Sequence, residues 1–80
     1  MKIPRDLTGT ELIQILKPLG YRITRQTGSH VRIETEQNGL HHETIPRHNP
    51  LKIGTLNAIL NNIANHFGMT KEELVKRLFG

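Results

Sequence analysis

Cysteine is absent from this 80-residue chain. That excludes disulfide staples, thiolate metal sites and a cysteine nucleophile together. Tryptophan is absent as well, and the aromatics are only Tyr21, Phe67 and Phe79. A nucleic-acid binder that stacks several bases on aromatic rings is therefore disfavoured. No apolar run approaches the roughly 18 residues of a membrane span. The start, Met1 to Asp6, lacks the apolar core of a signal peptide, so the expectation is a soluble, cytoplasmic protein with no membrane partner. No Walker loop, Rossmann fingerprint or Gly-x-Ser-x-Gly elbow occurs.

What is present suffices for a core. Leu, Ile, Val and Phe make up 23 of the 80 residues, well above the ~20% below which chains stay disordered. A chain of this length is expected to form one domain over residues 1–80. The net charge is +4 with five histidines counted neutral, which suits an anionic partner. The positive charge is concentrated early. Residues 1–33 carry Lys2, Arg5, Lys17, Arg22, Arg25 and Arg32 against Asp6 and Glu11.

The hydrophobic period changes along the chain. Thr8 and Glu11 can form a capping box, with Leu7 and Leu12 at the staple positions. Leu12, Ile13, Leu16 and Leu19 then follow at helical spacing up to a stop at Gly20. Next the period falls to two. Tyr21 and Ile23 alternate with Arg22 and Thr24, and Val31 and Ile33 alternate with His30, Arg32 and Glu34. Thr27-Gly28-Ser29 is the turn between these strands, with Gly28 free to take a positive φ. Asn38-Gly39 marks a second turn, and His41–Ile45 is a short third strand stopped by Pro46. Leu56, Ile59, Leu60, Ile63 and Ala64 make an amphipathic stripe beginning near Gly54 or Thr55. Thr70 and Glu73 open a last short helix with the same box. The expected architecture is α+β: a helix, a three-stranded antiparallel sheet and a helix, plus a short C-terminal helix, with one sheet face covered and the other open. Ile23, Val31 and Ile33 are expected in the core against Leu12, Leu16, Leu56, Ile59, Leu60 and Ile63.

Parity directs the chemistry-bearing side chains. With Val31 and Ile33 inward, His30, Arg32 and Glu34 point outward, and Arg22 and Thr24 do the same on the first strand. A histidine among arginines on an open face suits a phosphodiester, because cations hold the phosphate and imidazole moves protons near neutral pH. RNA supplies its own nucleophile, the 2′-hydroxyl. A protein need only deprotonate it, stabilise the phosphorane charge and protonate the leaving oxygen. Neither a metal nor another cofactor is required. Ser29 has a plainer role available, bonding its own backbone in the turn. Lys52 precedes a helix N-terminus, a further anion site. His41 and His42 would face opposite sides of their strand and cannot chelate together, and no metal site is expected.

These residues, taken in order, resemble a family. Gly20-Tyr21, Arg25-Gln26-Thr27-Gly28-Ser29-His30, Ile45-Pro46-Arg47-His48, Lys52-Ile53-Gly54-Thr55-Leu56 and Ile59-Leu60 together look like the HicA (YcfA-like) toxins of type II toxin–antitoxin systems, over about residues 8 to 78. The resemblance implies a fold like the double-stranded-RNA-binding domain. It implies an mRNA interferase, an endoribonuclease that cuts messages until a HicB antitoxin binds. It also implies that His30 is the essential histidine and that His48 is a second contributor. From the residues themselves, Arg22, Arg25, Ser29, Arg32 and Lys52 are the expected RNA contacts. The alternative on the same scaffold is a non-catalytic RNA-binding module. A third reading is an interaction domain whose basic face meets an acidic partner. Thr27 stands where the family often has lysine, which removes one phosphate contact, and Tyr21 stands where it often has tryptophan. The stretch Asn61–Phe67 is about a turn longer than usual.

Overall fold

The computed structural model describes residues 3–80; Lys2, one of the early cations, lies outside them. The elements run α1 (Gly9–Ile15), a 3-10 turn (Lys17–Leu19), β1 (Arg22–Thr27), β2 (His30–Thr35), β3 (His41–Pro46), α2 (Ile53–His66) and α3 (Lys71–Phe79). This is the α+β order expected from the hydrophobic pattern.

Local chemistry explains the boundaries. Thr8 caps α1 through both bonds of the box: its hydroxyl accepts from the Glu11 N–H, and the Glu11 carboxylate accepts from the Thr8 N–H. Thr70 and Glu73 repeat this arrangement at α3. Such a cap is worth about 1 kcal/mol. Pro18 lies in the 3-10 turn, where the missing donor costs little. The five stripe residues of α2 are all buried.

The sheet has the order β1-β2-β3 and is antiparallel throughout. Helices α1 and α2 both contact β3. The core gathers Leu12, Leu16, Leu19, Val31, Ile33, Ile45, Leu56, Leu60, Ile63 and Leu74 in one cluster. At its edge the buried Thr35 hydroxyl donates to the Leu19 carbonyl at 2.7 Å and accepts from the Gln37 N–H at 3.1 Å. That ties β2 to the end of the first helical segment.

One expected core residue lies outside the core. Ile23 is 54% exposed, although Ile33 opposite it is fully buried. The parity reading is sound, since Ile23 does share the helix-side face with Ile33. What fails is coverage. β1 is an edge strand and is exposed along its whole length, because the helices contact β3, at the opposite edge of the sheet. Tyr21, just before β1, is the aromatic that enters the core.

Candidate functional site

The open face of the sheet is a three-by-three grid set by strand register. Its first row is Thr27, His30 and Pro46. Its second is Arg25, Arg32 and Thr44. Its third is Arg22, Glu34 and His42. Burial agrees with this parity: His30 is exposed and Arg32 and Glu34 are half-buried, whereas Val31, Ile33 and Ile45 are buried on the other side.

Arg25 reaches this face only because β1 is irregular. Regular alternation would put Arg22 and Arg25 on opposite sides, since they are three residues apart. The register shifts between Ile23 and Arg25, leaving Thr24 as the extra residue of a bulge. The Thr24 hydroxyl donates to the Arg32 carbonyl at 3.4 Å. Arg25 thereby joins Arg22 on this face, directly opposite Arg32. Spacing alone gives no sign of the bulge.

The result is two like charges facing each other across the strands, an arrangement that destabilises a sheet. Compensation inside the chain is thin. Arg32 Nε is 4.0 Å from Glu34 Oε2, too long for a hydrogen bond. That Nε is buried and has no hydrogen-bond partner among the described residues. Arg22 meets Glu36 at 3.9 Å with both side chains largely exposed, a pair worth little. Arg25 forms no ion pair among the described residues.

A tight turn delivers His30. Thr27 pairs with His30, so the loop is only Gly28-Ser29, and Gly28 has φ 56°, the left-handed region that short hairpins use. The chain beyond β3 then returns to this turn. The Arg47 N–H donates to the Ser29 carbonyl at 2.6 Å, extending the ladder one step past the Pro46–His30 pair. His48 follows directly and is exposed. It lines a cleft of about 270 Å³ with Thr8, Gly9, Thr10, Arg47 and Asn49. His30, Arg25, Arg32 and Arg22 thus share one face, with Ser29 in the turn beside it, while His48 lines the cleft against the N-terminus of α1. Lys52 is the exposed N-cap of α2, and its side chain makes no ion pair or hydrogen bond among the described residues.

The family model for the HicA toxin of bacterial toxin–antitoxin systems matches residues 9–64. The chain belongs to the HicA toxin family. The matched stretch runs from the first residue of α1 through the whole sheet into α2. No curated protein and no solved structure matches the chain significantly. As a HicA toxin the chain is one half of a toxin–antitoxin pair, and an antitoxin is its partner. Among the described residues, no helix is long and apolar enough to cross a membrane.

The other face of this HicA sheet carries a second polar cluster. The Tyr21 hydroxyl and His41 Nδ1 are 2.7 Å apart, and His41 Nε2 is 3.4 Å from Glu43 Oε2. With the ring proton on Nε2, facing the Glu43 carboxylate, Nδ1 accepts from the Tyr21 hydroxyl. The His41 ring stacks on His66, with centroids 4.5 Å apart. His66 Nε2 donates to the Gln37 carbonyl at 2.9 Å. Burial pushes the Tyr21 hydroxyl well above its ordinary range, helped by the Glu43 charge. Burial also raises Glu43, partly offset by the Asn62 amide. His41 is lowered by burial and by the neighbouring His66 and His42. Among the described residues, no three His, Cys, Asp or Glu side chains gather in a metal-binding arrangement.

Proposed function

We propose that this HicA toxin is an mRNA-cleaving endoribonuclease whose active face is the outer surface of the sheet around His30. The observation that carries the reading is the like-charged Arg25–Arg32 pair, with a buried unpartnered Nε, in the row next to an exposed histidine. A phosphodiester would relieve the repulsion between the two guanidinium groups, because guanidinium binds phosphate oxygens strongly.

In this mechanism His30 takes the proton from the ribose 2′-hydroxyl. The resulting oxyanion attacks the adjacent phosphorus, and the bond to the 5′-oxygen breaks. His48 protonates that leaving oxygen. Arg25 and Arg32 meet the charge that builds on the phosphorane oxygens. Ser29 orients the imidazole or a phosphate oxygen, and Arg22 and Lys52 extend the path for the strand. The products are a 2′,3′-cyclic phosphate and a 5′-hydroxyl. The antitoxin, a HicB-like protein in this reading, silences the toxin by covering the same face.

The test is cleavage of RNA by purified wild type and His30→Ala in the presence of EDTA. A positioned base is typically worth about 10²–10⁴ in rate, so His30→Ala should lose cleavage by that factor while its melting profile stays near that of wild type. Chelation should leave wild-type cutting intact. Equal cleavage by the two proteins, or loss of wild-type activity in EDTA, would overturn the mechanism. RNA binding without cleavage by wild type would leave a non-catalytic RNA-binding module as the function.

A further inference from the structure

Gly9 starts α1 with no positive φ. The conformational freedom of glycine is therefore not needed there, and alanine is the better helix former. Space is the reason for glycine. A Cβ at this position would overlap the Pro46 carbonyl oxygen and would also press on the Arg47 Cα at 3.2 Å. The obstacle is backbone rather than a side chain that could swing aside.

The close approach belongs to a set of backbone ties. The Gly9 N–H donates to the His48 carbonyl at 3.2 Å, and the Leu51 N–H donates to the Leu7 carbonyl at 2.7 Å. On the other side of the same segment, the Arg47 N–H holds Ser29. The chain from Pro46 to Leu51 is thus clamped between the N-terminus of α1 and the turn that carries His30. Gly9 is buried under that segment and walls the cleft beside His48.

We infer that Gly9 is a positioning residue for the reaction: its missing side chain sets the depth at which the Pro46–His48 segment sits, and so the distance between His48 and His30. The inference rests on the two-histidine mechanism above. It adds that the toxin's catalytic geometry is fixed from α1, an element that contributes no reacting group.

The experiment compares wild type, Gly9→Ala, His48→Ala and the double variant in single-turnover RNA cleavage across pH, together with amide hydrogen exchange. A small misplacement of a reacting group can cost about 10²-fold. Gly9→Ala is therefore expected to lower the rate at saturating RNA by about that order while RNA affinity changes less than about 2-fold. Its pH profile should lose the same limb that His48→Ala loses. The double variant should be no slower than His48→Ala alone, because both changes disable one function. Independent, multiplicative losses would overturn the inference, as would a Gly9→Ala profile of unchanged shape. Hydrogen exchange separates this result from failure of the ribonuclease reading itself. In Gly9→Ala the Arg47 amide should lose protection while Ile33 and Ile45 keep theirs, whether or not RNA is cut. A protected Arg47 amide in that variant would refute the positioning role. Should Gly9→Ala not fold, the wild type still tests the clamp: the Gly9, Arg47 and Leu51 amides should open together with one common protection factor, and independent opening would sink the idea.

Discussion

Removing Arg25 should make the free toxin slightly more stable and a worse RNA binder at once. The structure sets Arg25 directly opposite Arg32 across β1 and β2, with no ion pair of its own among the described residues. Cross-strand pairs of this kind contribute about 0.2–1 kcal/mol, with like charges unfavourable. Arg25 is exposed, so its truncation opens no cavity. Arg25→Ala should therefore gain a few tenths of a kcal/mol in urea unfolding at low salt, and screening should shrink that gain as salt rises. Binding moves in the opposite direction. On a single strand, each phosphate that the protein no longer neutralises lowers the log–log salt slope by roughly 0.7. Between 50 and 200 mM salt the affinity of the variant should therefore fall by about 0.4 log units less than that of wild type. Arg32 is the poorer choice for this test, since it is half-buried and its removal would also disturb Glu34. The assay is a salt titration of binding to a short single-stranded RNA, paired with denaturation curves. An Arg25→Ala protein that is less stable than wild type and binds RNA with the same slope would show that the pair is not an anion site.

Two further outcomes follow from the same geometry. Association with the antitoxin should slow as salt rises, because charge steering is screened, and stopped-flow mixing checks this; a salt-independent rate would place the interface away from the arginine face. The buried Glu43 is held above its ordinary value of 4.5, so in the folded state it binds a proton more readily than in the unfolded chain. Its contribution to stability is present at low pH and is lost as pH rises from about 4.5 through the raised value. Glu43→Gln should therefore stabilise the toxin near about pH 7, with the gain shrinking toward about pH 4; an equal gain at both in urea unfolding would contradict this. His41 behaves with the opposite sign. Lowered from 6.5, it contributes stability above that value that falls away as the pH drops through its folded-state value.

The parts of this fold that are legible in the sequence are those governed by local rules. The two capping boxes need only Thr8, Glu11, Thr70 and Glu73 at the right spacing, and both form. The α2 stripe and the β2 alternation follow from period alone. Ile23 departs from its expected place because parity assigns a face and says nothing about what covers it; an edge strand beyond the reach of the helices keeps its apolar residue wet. The candidate site is legible on β2, where a regular strand projects His30 and Arg32 as alternation requires. It is not legible on β1, where the bulge at Thr24 decides that Arg25 stands opposite Arg32. Nor can spacing reveal Gly9, whose constraint comes from the carbonyl of Pro46, at the far end of the third strand.

The two faces of the sheet separate stability from function by how completely their polar groups are satisfied. Shifted ionisable groups are a common marker of active sites, and within the sheet they lie on the helix side, at Tyr21, His41 and Glu43. Yet burial is the leading cause of each shift, and the Tyr21–His41–Glu43 chain closes on itself, with His66 and Gln37 completing it. Such a network ties β3 to the end of α2 and has no group left over for a substrate. The open face is the reverse case. Arg25 and Arg32 oppose each other, an Nε is buried without a partner among the described residues, and His30 stands exposed beside them. Its groups are arranged at some cost to the free protein, and an anionic partner relieves that cost. A cluster that is complete without a ligand argues for structure, and one that a phosphate would complete argues for binding. By that criterion the function proposed for this toxin belongs to the face that no helix covers.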